Sequence, residues 1–291
     1  MKINGKQIIR VFPVRTSHTP NDDLVFSGIR VGNKIKKTAD PLFSSMLPEA
    51  DEVHVSVAFT WDREEGERLA RAWSNYFPTR LGGPAYHSIA QNNVPGEFTP
   101  GLYLKSGYTI TSRGCSKRCW YCSVCEREDR KILQIKDGWL LQDNNILSTP
   151  QHHQEHVFQM LARQKKQVSF TGGIDATLLT DWSIAKISRL PIKQIFFAFD
   201  NKKNAKYLER AASAFSFMDR RKLRCYVLVG YDGDTIIDAE SRLKYIYEIG
   251  MLPYAMAYRD STGNKFHRDK RFRALARKWQ RPIMIYNEMQ R

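Results

Sequence analysis

Four of the five cysteines, Cys115, Cys119, Cys122 and Cys125, fall within eleven residues, while Cys225 stands far away. Thiols packed so densely into one loop read as metal ligands. A disulfide framework would spread its cysteines along a smaller, secreted chain. The first three have the spacing Cys-x3-Cys-x2-Cys within Ser112-Arg-Gly-Cys115-Ser-Lys-Arg-Cys119-Trp-Tyr-Cys122-Ser-Val-Cys125. Three thiolates hold three irons of a [4Fe-4S] cubane and leave the fourth iron open to another ligand, whereas such clusters are ordinarily held by four. The alternative is a structural zinc site on all four cysteines, but zinc sites usually comprise two separated pairs. Cys125 is then an extra thiol, either a bystander or an auxiliary ligand or hydrogen donor.

Such a loop needs rigid elements to hold it. From Gly107 onward, strand-like and helix-like segments alternate six times. The strands are expected at Tyr108–Thr111, Trp139–Gln142, Val168–Thr171, Gln194–Phe199, Arg224–Val229 and Pro253–Ala257. Helices are expected at His156–Lys165, Thr180–Arg189, Ala205–Phe217, Thr235–Ile249 and Asp269–Trp279, and Ile283–Ile285 reads as a terminal strand. This alternation implies α/β architecture with a parallel sheet and right-handed crossovers. Six units suit a partial (β/α)6 TIM-like barrel with its chemistry at the C-terminal ends of the strands. Residues 1–106 form a separate, small Rossmann-like α/β domain ahead of the 107–291 core. It has strands at Ile8–Val14, Val53–Phe59 and Thr79–Tyr86, a helix over Asp62–Tyr76 capped by Asp62, and a linker over 87–106.

Cys115-x3-Cys119-x2-Cys122, with Tyr121 before the third cysteine, resembles the signature of the radical S-adenosylmethionine (SAM) superfamily. Thr109-Ile-Thr-Ser-Arg-Gly-Cys115 resembles the entry of its methylthiotransferase-like and cobalamin-dependent branches, and the likeness covers about residues 107–286. The resemblance implies that Cys115, Cys119 and Cys122 hold the cluster and that its open iron binds the methionine part of SAM. Reductive cleavage then gives a 5′-deoxyadenosyl radical that abstracts hydrogen from a substrate. It also implies an electron donor such as flavodoxin or ferredoxin. Tyr121 would lie against the adenine, with core packing as its other reading.

Two segments compete for the methionine ammonium group. Phe170-Thr-Gly172-Gly173-Ile-Asp175 resembles the family's Gly-Gly-Glu without its glutamate. Asp143-Asn144-Asn145 ends the second strand and resembles the Asp/Asn-rich version, so the ammonium is assigned there; a polar turn is the plainer alternative. Gly172 and Gly173 then end the third strand, where absent side chains would admit a ligand, with Asp175 beyond them. Asp200, ending the fourth strand, resembles the ribose-binding position, with a helix N-cap as its rival. Tyr226-Val-Leu-Val-Gly230-Tyr-Asp-Gly-Asp-Thr235 resembles the fifth-strand signature that backs the adenine. The N-terminal domain resembles a shortened cobalamin-binding domain. It lacks an Asp-x-His-x-x-Gly ligand motif, and His54 and His87 stand in other surroundings, so cobalamin is not expected.

The chain has 291 residues and a formal charge of +16, with 42% hydrophobic residues. That composition excludes disorder, and neither a signal peptide nor a membrane-length apolar run is apparent, so a cytoplasmic protein without a membrane partner is expected. Eight Lys/Arg against one acid in residues 265–281, with Arg113/Lys117/Arg118 and Arg220/Arg221/Lys222/Arg224, point to a nucleotide or nucleic-acid substrate. The rivals are a solubilising surface, a peptide or other small-molecule substrate, or a non-catalytic nucleic-acid-binding protein with a zinc- or cluster-stabilised loop. His152, His153 and His156 read as surface or capping residues.

Overall fold

The computed structural model describes every residue except 1, 32–33, 87–100, 123, 128–129, 201, 260–269 and 291. The chain divides into two compact units: Met1–Tyr108 with Lys117–Asp129, and Thr109–Ser116 with Arg130–Arg291. No helix among the described residues is long and apolar enough to cross a membrane.

In the first unit, β1 (Lys2–Ile3), β2 (Lys6–Phe12) and β3 (Val25–Ser27) precede a hairpin of β4 (Ile29–Val31) and β5 (Lys34–Lys37). They are followed by β6 (Glu52–Ser56), α1 (Arg63–Ser74) and β7 (Thr79–Gly82). The sheet runs β1-β2-β6-β7 with β3 also on β2; β3, β6 and β7 are joined in parallel, and β1 is antiparallel. One face buries Ile9, Val11, Val53 and Val55 against Leu69 and Trp73 of α1. Asp62 does not cap α1 through its side chain as expected. It is buried and paired with Arg30 instead. His54 lies in a buried polar set with Glu52 and Tyr103. The linker expected over 87–106 falls mostly outside the described residues, as does His87.

The second sheet starts with β8 (Tyr108–Thr109), and the chain then forms a small pair from β9 (Ser112–Arg113) and β10 (Lys131–Ile132), with α2 (Val124–Arg127) between them in sequence. Then come β11 (Leu140–Leu141), α3 (Gln151–Ala162), β12 (Val168–Ile174), α4 (Asp181–Ser188), β13 (Ile192–Ala198), α5 (Ala205–Ala214), β14 (Leu223–Val229), α6 (Ile236–Glu248) and β15 (Leu252–Ala257). All six expected strands are present, and their spatial order, β8-β11-β12-β13-β14-β15, follows the chain. The register from β11 through β15 is parallel throughout, which puts the strands' C-terminal ends on one edge. Val168, Phe170, Ile195, Phe197, Cys225, Val227 and Ala255 pack one face against the crossover helices.

Two expectations change. The helix expected at His156–Lys165 starts earlier, at Gln151, directly after Pro150. The terminal strand expected at Ile283–Ile285 is instead part of α8 (Pro282–Met289): proline is well placed in a first helical turn, and Ile285 packs with Tyr286 and Met289 onto the core. The helix expected at Asp269–Trp279 is present as α7 (Lys270–Trp279), Asp269 itself lying outside the described residues, and it buries Phe272, Leu275, Ala276 and Trp279 on one stripe.

Candidate functional site

The strand β8 leads into the cysteine loop, and the residues after β11 hold the start of that loop. Asp143 is 2% exposed. Its Oδ1 accepts the Thr111 backbone N–H at 2.6 Å, and its Oδ2 accepts the Thr111 and Ser112 hydroxyls at 2.6 Å each. Burial pushes this carboxyl's pKa up, and the Ser112 and Thr111 donors pull it back down. Asn144 Oδ1 accepts the Gly114 backbone N–H at 3.1 Å. Asn145 Nδ2 donates to Cys115 Sγ at 3.6 Å. Three successive residues of one strand exit thus hold successive points along the approach to the first cysteine.

Of the three residues assigned to the ammonium group, Asp143 and Asn144 therefore engage the chain itself. Asn145 is 4% exposed, and its Oδ1 is a buried acceptor without a donor. Buried polar atoms are nearly always satisfied, so an orphaned acceptor marks a place for an outside donor.

Sequence reasoning missed His153. It is not a surface residue: it is 3% exposed, and its Nε2 lies 3.2 Å from Thr111 Oγ1. That hydroxyl spends its proton on Asp143, so Nε2–H must donate to it, which fixes the tautomer. The spacing of His153 with Val157, Met160 and Leu161, all buried on α3, is the signal that would have found it. Burial holds the His153 pKa below its ordinary 6.5. The unfolded chain then takes up the proton first on acidification. Stability contributed by neutral His153 is complete above pH 6.5 and is lost as pH falls through the lower folded value. The expected result is an acid-side fall in melting temperature that His153→Gln flattens, measured by thermal unfolding from pH 7.5 to 5; an unflattened curve would assign the fall elsewhere.

The cysteine loop changes unit between Ser116 and Lys117, so Cys115 belongs to the second unit and Cys119, Cys122 and Cys125 to the first. All four are half-buried and outside any disulfide. The Cys122 N–H donates to the Cys119 carbonyl at 2.9 Å, and the Cys125 thiol lies 3.7 Å from the Cys122 carbonyl. Tyr121 is half-buried and meets Trp120 edge-on at 5.3 Å. Among the described residues, no three His, Cys, Asp or Glu side chains are grouped to hold one metal ion. The soft thiol set suits an iron–sulfur cluster, and the N–H reaching Cys115 Sγ suits a thiolate ligand.

The remaining residues lie at the C-terminal edge of the same sheet. Gly172 does not leave space for a ligand as expected: a Cβ there would overlap the Asp143 carbonyl oxygen and come within 3.0 Å of the Gln142 carbonyl carbon. Gly173 has φ +101° and open space around its Cα. Asp175 accepts the Thr177 N–H at 2.9 Å and the Thr177 hydroxyl at 2.7 Å, capping a short turn. Asp200 accepts the Leu228 N–H at 3.1 Å, which extends the β13–β14 ladder through a side chain. Gly230 donates its N–H to Asp234 at 2.8 Å. Asp234 is ion-paired at 3.0 Å with Arg242, a second residue that sequence reasoning missed.

Compared with known proteins, the chain matches no family model and no curated protein.

Proposed function

We propose that the protein is a radical SAM enzyme whose sequentially ordered parallel sheet is a partial (β/α)6 barrel with the start of the cysteine loop, through Cys115, at its C-terminal edge. What carries this proposal is the pairing of the Cys-x3-Cys-x2-Cys spacing with Asp143, Asn144 and Asn145 on the loop that enters it. Cys115, Cys119 and Cys122 would hold the [4Fe-4S] cluster. Bound there, it supplies the electron that cleaves the SAM sulfonium, giving methionine and a 5′-deoxyadenosyl radical that takes a hydrogen atom from substrate.

The chain's own part is to hold and orient. Asp143 fixes Thr111 and Ser112, Asn144 fixes Gly114, and Asn145 donates to the sulfur of Cys115. The buried Asn145 Oδ1 is the acceptor for the methionine ammonium. Tyr121, Asp200 and Gly230 are assigned to the adenosine end by resemblance. An electron donor of flavodoxin or ferredoxin type completes the cycle. Lys270, Arg271, Arg273 and Arg277 are exposed on α7, which favours an anionic substrate of nucleotide or nucleic-acid kind.

The test is anaerobic reconstitution with iron and sulfide, reduction, and detection of 5′-deoxyadenosine by mass spectrometry. A stoichiometric cluster that leaves SAM intact would overturn the proposal. Asn145→Leu should weaken SAM binding by about 10-fold or more, the worth of one hydrogen bond to a charged group. Asn145→Asp keeps an acceptor for the ammonium but removes the N–H to Cys115, so it should retain SAM affinity while lowering the cluster's reduction potential. Equal loss of affinity in both variants would take the ammonium contact away from Asn145.

A further inference from the structure

Arg224 does not belong to the surface cluster of Arg220, Arg221 and Lys222 that precedes it. Leu223, Cys225, Val227 and Val229 of β14 pack into the helix-covered core, so alternation turns Arg224, Tyr226 and Leu228 to the opposite face of the sheet. Register brings Phe196 of β13 beside Arg224, and Tyr254 of β15 beside Tyr226. The Phe196 and Tyr226 rings stack at 4.6 Å and 18°, and Tyr254 stands edge-on to Tyr226 at 5.6 Å. The guanidinium carbon of Arg224 lies 5.7 Å from the Phe196 centroid and 5.5 Å from that of Tyr254.

Arg224 is only 6% exposed, and its Nε and Nη2 are buried without a hydrogen-bond partner. The rings answer part of its charge through cation–π attraction, but they accept no hydrogen bonds in the plane of the fork. Burial pulls the guanidinium's pKa down, as follows when water is removed and no carboxylate replaces it. A buried cation with idle donors is costly to the fold unless a group from outside completes it.

We infer that Arg224, walled by Phe196, Tyr226 and Tyr254, is an anion subsite that takes the terminal oxyanion, a carboxylate or a phosphate, of a small substrate. The planar fork of arginine matches either group bidentately. This deepens the function proposed above and rests on it for the other end of the site. From Arg224 to Val229, where β14 ends, is about 16 Å at ~3.3 Å per residue. Asn145 and Cys115, bonded to each other, follow β11 and β8 at that far edge, so the oxyanion bound here belongs to the end of the substrate remote from the reacting carbon. The rings suit a flat body between the two ends. So deeply buried a guanidinium suits a terminal group rather than an internal phosphate of a polymer.

The test is thermal unfolding of the full-length, reconstituted protein titrated with inorganic phosphate and with acetate, against sodium chloride of matched ionic strength. One or both anions should give a saturable rise in melting temperature of several degrees, and the better of the two identifies the oxyanion. Arg224→Met should lose that rise, and Arg224→Lys, which keeps the charge without the fork, should reduce it. The same rise in Arg224→Met would overturn the subsite. Should that variant fail to fold, an undiminished rise in Arg224→Lys would overturn it equally. The measurement does not depend on SAM cleavage. An Arg224-dependent rise in a protein that never cleaves SAM would sink the enzyme proposal alone, and cleavage with an Arg224-independent rise would sink the subsite alone.

Discussion

Alanine at any one of Cys115, Cys119 or Cys122 is expected to abolish reductive SAM cleavage, with 5′-deoxyadenosine falling below detection, whereas Cys125→Ala should retain it. The asymmetry follows from coordination. A cubane held by three thiolates loses one of its three protein anchors with each replacement, and no spare donor sits in the Cys-x3-Cys-x2-Cys spacing. Cys125 lies one turn further, in α2, with its thiol against the Cys122 carbonyl. Iron and sulfide content, the visible spectrum and cleavage are measured for all four variants. Equal loss of metal in all four, with zinc rather than iron in the wild type, would reverse the assignment to a four-cysteine structural site. Cys225→Ala is the control: that residue is fully buried on the core face of β14, and burial pushes its thiol pKa well up, so its loss should touch stability and not the cluster.

The strands were legible because each is a short β-branched or aromatic run closed by glycine or a polar turn, as at Phe196–Asp200 and Tyr226–Gly230. Their order was legible too: Leu140–Leu141 pairs with β12 and separates it from β8, so the Asp143-Asn-Asn segment, and not Gly172-Gly173, follows the strand beside the first. Side-chain destinations across long separations were not legible. Asp143 meets Thr111 and Ser112 over 32 and 31 residues, and local composition permits only a polar turn. Arg224 was hidden by its charged neighbours, although the period-2 pattern of Leu223, Cys225 and Val227 already set it on the other face. Ile283–Ile285 misled because three β-branched or long apolar residues fit either element, and only Tyr286 and Met289 beyond them supply the helical period.

Gly172→Ala should be the most damaging substitution outside the cysteines. Its Cβ would meet the Asp143 carbonyl, and that obstacle is backbone, which no rotamer change can move aside. Either β12 must part from β11 or Asp143 must shift. Gln142 is also bonded across this junction to Thr171, and Tyr226 donates to the Thr171 carbonyl at 3.2 Å, so the strand is held on both sides. Overpacking of this kind costs about 1–3 kcal/mol, a fall in melting temperature of roughly 2–12 °C for a unit of this size. The functional loss should exceed the stability loss. Displacing Asp143 frees Thr111 and Ser112 and moves Asn145 from Cys115, so SAM binding should fall by more than the ~10-fold of removing Asn145 alone, even at temperatures where the variant is folded. Gly173→Ala separates the two causes. It meets nothing within 4 Å but must hold φ +101°, a strain of about 1–2 kcal/mol, and it should keep SAM affinity while losing a few degrees. Calorimetric melting with SAM titration of both variants decides the matter: equal affinities would mean that the contact between Gly172 and Asp143 supports the sheet and not the cysteine loop.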